Sequence, residues 1–459
     1  MGGEPIVAIV GAGPAGLAAT RVLVQAGLRP IVLEEATLPG GQGTRRLSPL
    51  SEPYRAALYG QGADAMARRE DTENAILAKC DYRPGTLVWA CHDNQLELLG
   101  PDGFVGQPYT HLVIAVGATD RIMPVPGWTL PGVFTLGGSQ VAVKRHASFI
   151  GRKVVFAGSS PLLYLAAAQY LRLGHRDLTV LDTTPMAAKL RAFPAMLRHA
   201  PRTAMEGLAL MAELRRGGVA MLSGGTIRAI EGDGRVERLR YVTRKGRETV
   251  VAADAVAMGH GLRAETQLAE LAGAEFRFDP DFRQWFARTD AMGRAGETLW
   301  LAGDSARIGG AQAADAAGSL AAQSLLASLG RQIPARLLRR GRRRLKAQLD
   351  FQRAMTGAFR WPAETVAELP DATPICRCER VTAGEIRATL AAPVGPVEIN
   401  RVKSITRCGM GRCQGRFCGP ALAEIVASAA GETPGRLRAQ APVRPIPLVA
   451  DTEGAEQRA

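Results

Sequence analysis

The sequence lacks several features that define broad classes of protein. No run of 18 apolar residues occurs among its 459 residues, so a transmembrane helix is not expected. An apolar, strand-like run begins almost at the first residue, which leaves no room for a signal peptide and predicts a cytoplasmic protein. The chain has only six histidines. They are scattered along the sequence, and none has a paired base nearby. These absences argue against a membrane or secreted protein and against a histidine-based catalytic centre.

The chain carries a formal net charge of +14, and much of this excess is local. Residues 331–360 hold ten Lys or Arg residues against Asp350 alone, with apolar residues interleaved among them. This pattern predicts a basic helix with one apolar stripe. Such a helix is either a solvated linker or a docking surface for an acidic partner or a membrane. Nucleic acid is not expected as a partner, because no base-reading module accompanies the charge.

The stretch 6–42 contains the motif around which the chain is organised. An apolar run is followed by GAGPAG, a helix-forming segment, a second apolar run and an acid, Glu34, 23 residues after the first glycine. In a dinucleotide-binding unit the glycines permit a tight turn and close approach of a pyrophosphate, and the acid accepts hydrogen bonds from ribose. The predicted binding residues are Gly11, Gly13, Pro14, Ala15, Gly16 and Glu34.

Three further motifs indicate which dinucleotide is bound. LWLAGD at 299–304 resembles the segment of two-dinucleotide-binding flavoproteins whose aspartate holds the ribityl chain of the flavin. GGQ at 40–42 and LVIAVGAT at 112–119 resemble two other motifs of the same proteins. The resemblance implies FAD. It adds as FAD-binding residues Gly41, Gln42, Ala115, Gly117, Gly303 and Asp304.

The plan of the first half is repeated in the second. The first glycine motif and its closing strand-and-glycine motif are 106 residues apart, and their counterparts at Gly158 and Gly259 are 101 residues apart. The sequence therefore predicts an α/β protein with two Rossmann-like units, the second inserted in the first.

The second glycine motif is damaged. Ser160 and Leu163 replace the glycines that admit phosphate and allow close helix packing, although Asp182 stands where a ribose-binding acid is expected. Three interpretations stay open for this unit: an NAD(P)H site, a site for another nucleotide such as ATP, and a structural relic.

The cysteines are concentrated near the C-terminus, where five of the seven lie between 376 and 418. Reduced cytoplasmic chains have little use for disulfides, so the cluster predicts a metal site. Thiolates select iron–sulfur clusters or zinc, and the segment has no histidine ligand. A capping box at Thr382 and Glu385 predicts a helix after the first pair, and a second helix is expected near Pro420.

A Cys-x-Cys pair followed by cysteines that open a helix resembles the bacterioferritin-associated-ferredoxin-like (BFD-like) 2Fe–2S domain. The resemblance implies a 2Fe–2S cluster, with zinc and metal-free cysteines as the alternatives. The second pair is usually C-x-x-C in that family, whereas this chain offers three later cysteines, so the choice of ligands rests on counting back from the helix. The predicted ligands are Cys376, Cys378, Cys413 and Cys418, with Cys408 a spare or substitute ligand.

The motifs together resemble the α (A) subunits of opine oxidases, of hydrogen cyanide synthase and of heteromeric proline or hydroxyproline dehydrogenases. The resemblance extends to about residue 432. It implies an FAD and 2Fe–2S electron relay that serves a separate, amino-acid-oxidase-like β subunit, with FMN at the subunit interface and a small third subunit in some members. No catalytic residue is predicted, and His260 is assigned either a structural or a proton-handling role.

Two other functions stay open: a self-sufficient NAD(P)H:acceptor reductase and a cluster-bearing redox sensor. The domains are predicted as follows: FAD-binding at 1–124 and 285–330, second nucleotide-binding-like at 125–284, basic linker at 331–370, BFD-like at 371–432 and Pro-rich tail at 433–459. The tail is expected to be disordered by itself, with its apolar patch at 446–449 as a candidate docking segment.

Overall fold

A computed structural model describes residues 4–395 and 397–447 of the chain. The apolar run before GAGPAG is the first strand, and the following helix begins at Pro14, four residues earlier than its helix-forming run suggested. The elements of this first part are β1 Val7–Val10, α1 Pro14–Gln25, β2 Ile31–Glu34, α2 Arg55–Tyr59, α3 Ala63–Leu77, β3 Asp81–Pro84, β4 Leu87–His92, β5 Gln95–Gly100, β6 Gly103–Pro108, β7 His111–Ile114 and β8 Ala118–Asp120.

The repeated plan forms the second part. Its elements are β9 Val133–Thr135, α4 Leu136–His146, β10 Val154–Gly158, α5 Leu162–Arg172, β11 Leu178–Asp182, α6 Met186–His199, α7 Pro201–Arg216, β12 Ala220–Ser223, β13 Thr226–Glu231, β14 Arg238–Val242, β15 Glu248–Ala252, β16 Ala255–Gly259, β17 Leu262–Ala264, α8 Gln267–Leu271, β18 Phe276–Asp279 and β19 Gln284–Ala287.

The chain then returns to the first part and continues into the basic and cysteine-rich segments. These elements are β20 Leu299–Leu301, α9 Gly310–Ser328, α10 Ala335–Ala358, α11 Ala363–Ala367, β21 Pro374–Cys376, β22 Val381–Thr382, α12 Ala383–Ala391, α13 Ile399–Thr406 and α14 Gly419–Ala430. None of the helices in the described residues has the length and apolarity that a bilayer crossing requires.

Two five-stranded parallel sheets form the frame of the molecule. The first has the order β20-β7-β1-β2-β3. Strand β20, which comes just before Asp304, therefore joins the sheet that begins with β1 near the N-terminus. The second has the order β12-β11-β10-β16-β9. Each carries an antiparallel three-stranded sheet, β4-β5-β6 or β13-β14-β15, and strands β8 and β17 pair at the crossover. The predicted fold of two Rossmann-like units is confirmed.

The cysteine-rich unit shares a core with the second sheet. One cluster of buried apolar side chains includes Val155 and Val256 from that sheet together with Ile375 and Leu422 from the C-terminal unit. Trp128, in the crossover, also donates a hydrogen bond of 2.6 Å from Nε1 to the carbonyl of Pro374. The C-terminal unit is therefore packed onto the second Rossmann-like unit and the crossover.

The tail differs from its prediction. Residues 434–444, which we call the C-terminal strap, lie along the body instead of extending from it. Trp285 Nε1 donates to the carbonyl of Pro434 at 2.9 Å, and the amide of Ala439 donates to Glu270 at 2.9 Å. Long-range contacts thus order a segment whose composition favours disorder. Residues 448–459, including half of the 446–449 patch, lie outside the described residues.

Candidate flavin and iron–sulfur sites

The GAGPAG loop forms the turn that the glycine spacing predicts. Gly11 has φ +101°, and a Cβ there would lie 2.6 Å from the carbonyl oxygen of Ala115. A Cβ on Gly16 would lie 1.8 Å from the carbonyl oxygen of Gly11. At Gly13 the nearest protein atom would be 3.7 Å away, on Gly41. Two glycines are therefore required by the chain itself, whereas Gly13 keeps an open face at the N-terminus of α1, where a pyrophosphate binds in such units.

Glu34 lies at the end of β2 beside this loop. Its carboxylate accepts hydrogen bonds from the amides of Ala12 at 2.7 Å and Ala36 at 2.9 Å. Burial raises the pKa of Glu34, and the two amide hydrogen bonds oppose that rise. The side chain is held at the position where the sequence predicts a ribose-binding acid, with lone pairs left over because a carboxylate accepts about four hydrogen bonds.

The next two predicted segments cover the same loop. The amide of Gly40 donates to the carbonyl of Ala12 at 2.8 Å, and a Cβ on Gly41 would lie 2.9 Å from the Cα of Gly13. The exposed Gln42 side chain accepts a hydrogen bond from Arg45. On the other side, the amide of Ala115 donates to the carbonyl of Val10 at 2.8 Å. These contacts bring the GGQ and LVIAVGAT segments to the edge of the phosphate loop.

Asp304 is placed by the helix that follows it. Its Oδ1 accepts hydrogen bonds from the amides of Gly309 at 2.8 Å and Gly310 at 3.0 Å. Burial raises the pKa of Asp304, and these amides lower it. A Cβ on Gly303 would lie 2.8 Å from the Cβ of Ala15, so the LAGD turn packs directly on α1. The residues predicted to bind FAD therefore converge on one edge of the first sheet.

Sequence reasoning missed a further glycine in this region. A Cβ on Gly318, in α9, would lie 1.9 Å from the carbonyl oxygen of Ala15. Helices α1 and α9 can therefore approach closely only because this position lacks a side chain. The available signal was the small-residue composition of the segment after Asp304, which predicts a closely packed helix but does not single out one glycine.

The second glycine loop is occupied by the protein itself. Ser159 Oγ donates a hydrogen bond of 2.9 Å to the carbonyl of Arg360, in the segment after α10. Asp182 is fully buried and accepts from Tyr164 at 2.6 Å, from Lys189 at 2.7 Å and from the amide of Thr184 at 2.8 Å. The acid that was expected to hold a ribose is thus already bonded within its own unit.

A cavity of about 630 Å³ remains beside this loop. His260, Thr184 and Trp361 line it and are nearly or fully buried, and within the described residues both ring nitrogens of His260, the Thr184 hydroxyl and the Trp361 indole nitrogen have no hydrogen-bond partner. Burial lowers the pKa of His260 to about 3, with a smaller contribution from Arg121, so its ring is neutral at pH 7. A ligand could therefore still bind in the second unit. It would bind in this cavity and not against a glycine-rich phosphate loop.

The five C-terminal cysteines meet at one place. The sulfur atoms of Cys376, Cys408 and Cys418 all lie within 4.8 Å of one another. Cys413 adjoins this group through a hydrogen bond with Cys418, and Cys378 interacts with Cys413. Cys378 is exposed and Cys413 partly exposed, whereas Cys408 is fully buried. All five cysteines are thus close together, and the tightest group of sulfur atoms contains the spare cysteine, Cys408, but neither Cys378 nor Cys413.

The thiols are arranged to favour thiolates at two positions. Hydrogen bonds from Cys408 and Cys418 lower the pKa of Cys376 to about 2, and a hydrogen bond from Cys418 lowers that of Cys413 to about 5. Hydrogen bonding to Cys376 raises the pKa values of Cys408 and Cys418. A set of sulfur donors with thiolate character fits an iron–sulfur cluster or zinc, because the thiolate is the metal-binding form.

Comparison with known proteins identifies the family of each of the two units. Residues 5–318 match the pyridine nucleotide-disulphide oxidoreductase family, and residues 374–428 match the BFD-like [2Fe-2S] binding domain. The A subunit of opine oxidase from Rhizobium meliloti (strain 1021) is 36% identical over 455 residues, which cover 96% of each chain. The chain belongs to the family of these opine oxidase A subunits. The HcnB subunit of hydrogen cyanide synthase from Pseudomonas aeruginosa is 31% identical, covering 96% of this chain and 97% of the relative.

The fold comparison agrees with the family. The structure of L-proline dehydrogenase from P. horikoshii superposes with a TM-score of 0.66 over 97% of this chain and 78% of that one, at 18% identity. The first family match implies FAD and the second implies a 2Fe–2S cluster. The open face at Gly13 and the gathered thiols fit these two groups, so the chain is a flavin- and iron–sulfur-dependent oxidoreductase, and the predicted family is confirmed.

Proposed function

We propose that this chain is the electron-transfer (α) subunit of a heteromeric dehydrogenase that oxidises the C–N bond of an amino acid, an opine or a related donor. The observation that carries the proposal is that an FAD unit and a cluster unit are packed together, while Ser159 in the second glycine loop is bonded to Arg360. FAD accepts two electrons and releases them singly, whereas a 2Fe–2S cluster accepts one at a time. Such a pair suits a protein that passes on electrons from a substrate oxidised elsewhere.

The residues of the first unit would bind and orient the flavin. The open face at Gly13 and the N-terminus of α1 would receive the pyrophosphate, and Glu34 would accept from ribose hydroxyls. Asp304 would hold the ribityl chain, in the position set by the amides of Gly309 and Gly310. Gly41, Gln42, Ala115 and Gly117 would close the edges of the site.

We assign the cluster to Cys376, Cys378, Cys413 and Cys418. The supporting observation is that Cys378 and Cys413 lie toward the surface side of the group, where a cluster can exchange electrons with another protein. We propose Cys408, which is buried like Cys376 and Cys418, as the surplus thiol. Its sulfur lies near Cys376 and Cys418, so it is also the substitute ligand if one of the outer cysteines does not bind.

The partner is proposed to be an amino-acid-oxidase-like flavoprotein, because the relatives are themselves named as subunits of opine oxidase and of hydrogen cyanide synthase. In some such assemblies we also expect FMN at the interface and a small third subunit. Helix α10 offers a docking surface, since Arg339, Arg340 and Arg343 are exposed and none has an ion pair within the described residues. An acidic face of the partner is the proposed occupant, and a membrane surface is the alternative.

A self-sufficient NAD(P)H reductase is the second candidate function. The cavity beside Ser159, with the unpartnered groups of His260, Thr184 and Trp361, favours it because it has room for a nucleotide such as NAD(P) or ATP. The internal bonds of Asp182 and the contact of Ser159 with Arg360 disfavour it.

Anaerobic titration of the purified holoprotein with NADH and NADPH, followed by visible and EPR spectroscopy, separates these functions. Flavin bands and a reducible 2Fe–2S signal, with no rapid bleaching by either nucleotide, are expected of a protein that receives its electrons from a partner. Rapid stoichiometric bleaching would replace the proposal with the reductase. A protein without iron would contradict the cluster assignment.

A further inference from the structure

A buried ion pair joins the cysteine loop to the flavoprotein body. Arg416 lies between Cys413 and Cys418, and its Nε is 2.5 Å from Oε2 of Glu265. The two residues are 5% and 3% exposed. Nη1 of the same guanidinium group donates a hydrogen bond of 3.2 Å to the carbonyl of Cys413. The arginine therefore contacts the backbone of the cysteine loop directly, and its charge is neutralised from outside that loop.

Glu265 connects this pair to the flavin unit. Its amide donates a hydrogen bond of 3.0 Å to the carbonyl of Gly117, in the segment that closes β7. Its Oε1 accepts from the amide of Gln267 at 3.2 Å, and Nη1 of Arg263 lies 3.9 Å from its Oε2. One residue thus contacts the flavin unit through its backbone and the cysteine loop through its side chain.

The C-terminal strap completes the contact. Arg416 also donates to the carbonyl of Val443 at 2.8 Å, and the amide of Val443 donates to the carbonyl of Trp89 at 2.8 Å. Arg444 then forms an ion pair of 3.0 Å with Glu35, the neighbour of Glu34. The strap therefore links Arg416 to the first unit by a second route, independent of Glu265.

The strap also covers the cysteine loop. Ideal Cβ atoms on Gly409, Gly415 and Gly419 would lie 3.1, 2.8 and 3.1 Å from Cδ1 of Leu437. The leucine therefore packs directly over backbone that has no side chains, and it excludes water from that side of the loop. Charges in such an environment interact more strongly than charges in water.

We propose that the Glu265–Arg416 ion pair is a positioning contact that holds the cysteine loop against the flavin unit and sets the charge beside the cluster. This inference rests on the electron-transfer function proposed above. Removing one partner of a buried pair leaves an uncompensated charge. Because nearby charge, hydrogen bonding and exposure set cluster potentials, the two residues should act on the reduction potential in opposite directions.

The test is an EPR-monitored redox titration of the holoprotein and of two variants, Glu265→Gln and Arg416→Gln. Glu265→Gln should raise the potential of the cluster and Arg416→Gln should lower it. Each should change the ratio of reduced to oxidised cluster at fixed potential by about tenfold, the order expected for one charge removed at close range in a partly shielded interior. Glu248→Gln is the matched control, because that glutamate is exposed and pairs with Arg240, outside the contacts of Glu265 and Arg416.

Opposite shifts in the reduction potential distinguish the effect of the two charges from general damage to the fold. General damage would shift the potential of both variants in the same direction or release iron from both. Arg416→Lys, which keeps the charge without the guanidinium fork, should stay near the wild-type potential and provides a reading if Arg416→Gln does not fold. Unchanged potentials in variants that retain the cluster would overturn the inference alone. An absent 2Fe–2S signal in the wild type would instead overturn the proposed function.

Discussion

The hydroxyl of Ser159 donates a 2.9 Å hydrogen bond to the carbonyl of Arg360. The serine belongs to the loop that would cradle a nucleotide phosphate in the second unit, and the arginine follows the basic helix. The same linker places Trp361 against Arg121, with the guanidinium carbon 3.9 Å from the ring centroid. Two features therefore distinguish this loop from the glycine fingerprint of an NAD(P)H site: serine and leucine stand in place of two glycines, and the linker contacts the loop.

Repairing the loop by Ser160→Gly should not create NADH activity, because the linker still covers the neighbouring residue. We expect the rate of anaerobic flavin reduction by NADH to stay at the wild-type background in stopped-flow absorbance. Ser148→Gly, which changes a residue outside the loop in the same unit, is the control. A clear gain of rate in the loop variant would show that the glycine, and not the linker, is the barrier.

Gly13→Ala should separate FAD binding from folding. Gly13 has φ −79°, which alanine adopts readily, and a Cβ there meets no protein atom within 3.7 Å. We expect a folded protein whose affinity for FAD falls about 10- to 100-fold, since hydrogen bonds to a charged group contribute about 1.5–3 kcal/mol. FAD fluorescence titration of the apoprotein measures the affinity, and circular dichroism measures the fold.

Gly207→Ala, on the open surface of α7, is the matched control and should keep full affinity. Gly16→Ala should instead prevent folding, because its Cβ would overlap the carbonyl of Gly11. Normal FAD affinity in Gly13→Ala would show that the pyrophosphate does not bind against Gly13.

Much of the fold could be predicted because its signals are local. The strand–glycine–helix–strand order around Gly11 and the capping box of Thr382 and Glu385 depend on residues close in sequence, and both are present in the structure. The basic helix was also predicted and runs from Ala335 to Ala358. Helix starts were less accurate, as the early start of α1 at Pro14 shows.

What could not be predicted depends on contacts between distant residues. The bonding of Asp182 to Tyr164 and Lys189, and of Ser159 to Arg360, has no signature in sequence spacing. The strap was predicted to be disordered for the same reason, since its composition favours disorder and the contacts that order it, such as Trp285 with Pro434 and Leu437 with three glycines, join distant residues. The proximity of Cys408 to Cys376 and Cys418, which makes it a candidate substitute ligand, is likewise visible only in three dimensions.

Cys408→Ala should keep the 2Fe–2S cluster if this thiol is surplus. Single alanine variants of Cys376, Cys378, Cys413 and Cys418 should each lose it, because a 2Fe–2S cluster requires four ligands. Iron and acid-labile sulfide analysis with EPR measures the outcome, and Cys80→Ala in the first unit is the control. Loss of the cluster in Cys408→Ala together with its retention in Cys378→Ala or Cys413→Ala would contradict the assignment. Cys408 would then replace Cys378 or Cys413 as a ligand.

His260 should make folding depend on pH. Its pKa is lowered from 6.5 to about 3 in the folded chain, so below pH 6.5 the unfolded chain binds a proton that the folded chain does not. Stability contributed by the neutral ring is therefore present above pH 6.5 and is lost as the pH falls. The expected loss is about 2 kcal/mol between pH 6.5 and pH 5, at about 1.4 kcal/mol per unit.

Urea unfolding of the apoprotein at these two pH values tests this expectation. His260→Phe should lose less stability on acidification than the wild type does, whatever its stability at pH 6.5. His92→Gln, at an exposed position, should behave like the wild type. Equal pH sensitivity of His260→Phe and the wild type would contradict the assignment.

Charge reversal on α10 tests the docking surface. The triple variant Arg339→Glu, Arg340→Glu and Arg343→Glu should fold normally, because the three side chains are exposed. Its affinity for the co-expressed partner should fall about tenfold or more at low salt, since exposed ion pairs contribute about 0.2–1 kcal/mol each. Binding is measured by surface plasmon resonance at several salt concentrations.

The matched control reverses Arg244, Lys245 and Arg247, three exposed cations on the turn between β14 and β15. It should leave binding unchanged. Equal losses in the two triple variants would indicate a non-specific charge effect. Retained partner binding together with lost adsorption to anionic vesicles in the α10 variant would assign the helix to a membrane surface.

The shared apolar core of the second sheet and the cysteine-rich unit has a consequence for how this protein can be taken apart. Val155, Val256, Ile375 and Leu422 belong to one buried cluster, so cutting the chain before Pro374 would expose apolar surface on both pieces. A fragment carrying the iron–sulfur segment alone would therefore expose the apolar side chains that now face the second sheet. Its stability as a separate fragment depends on replacing the surface of the Rossmann-like unit on which it packs.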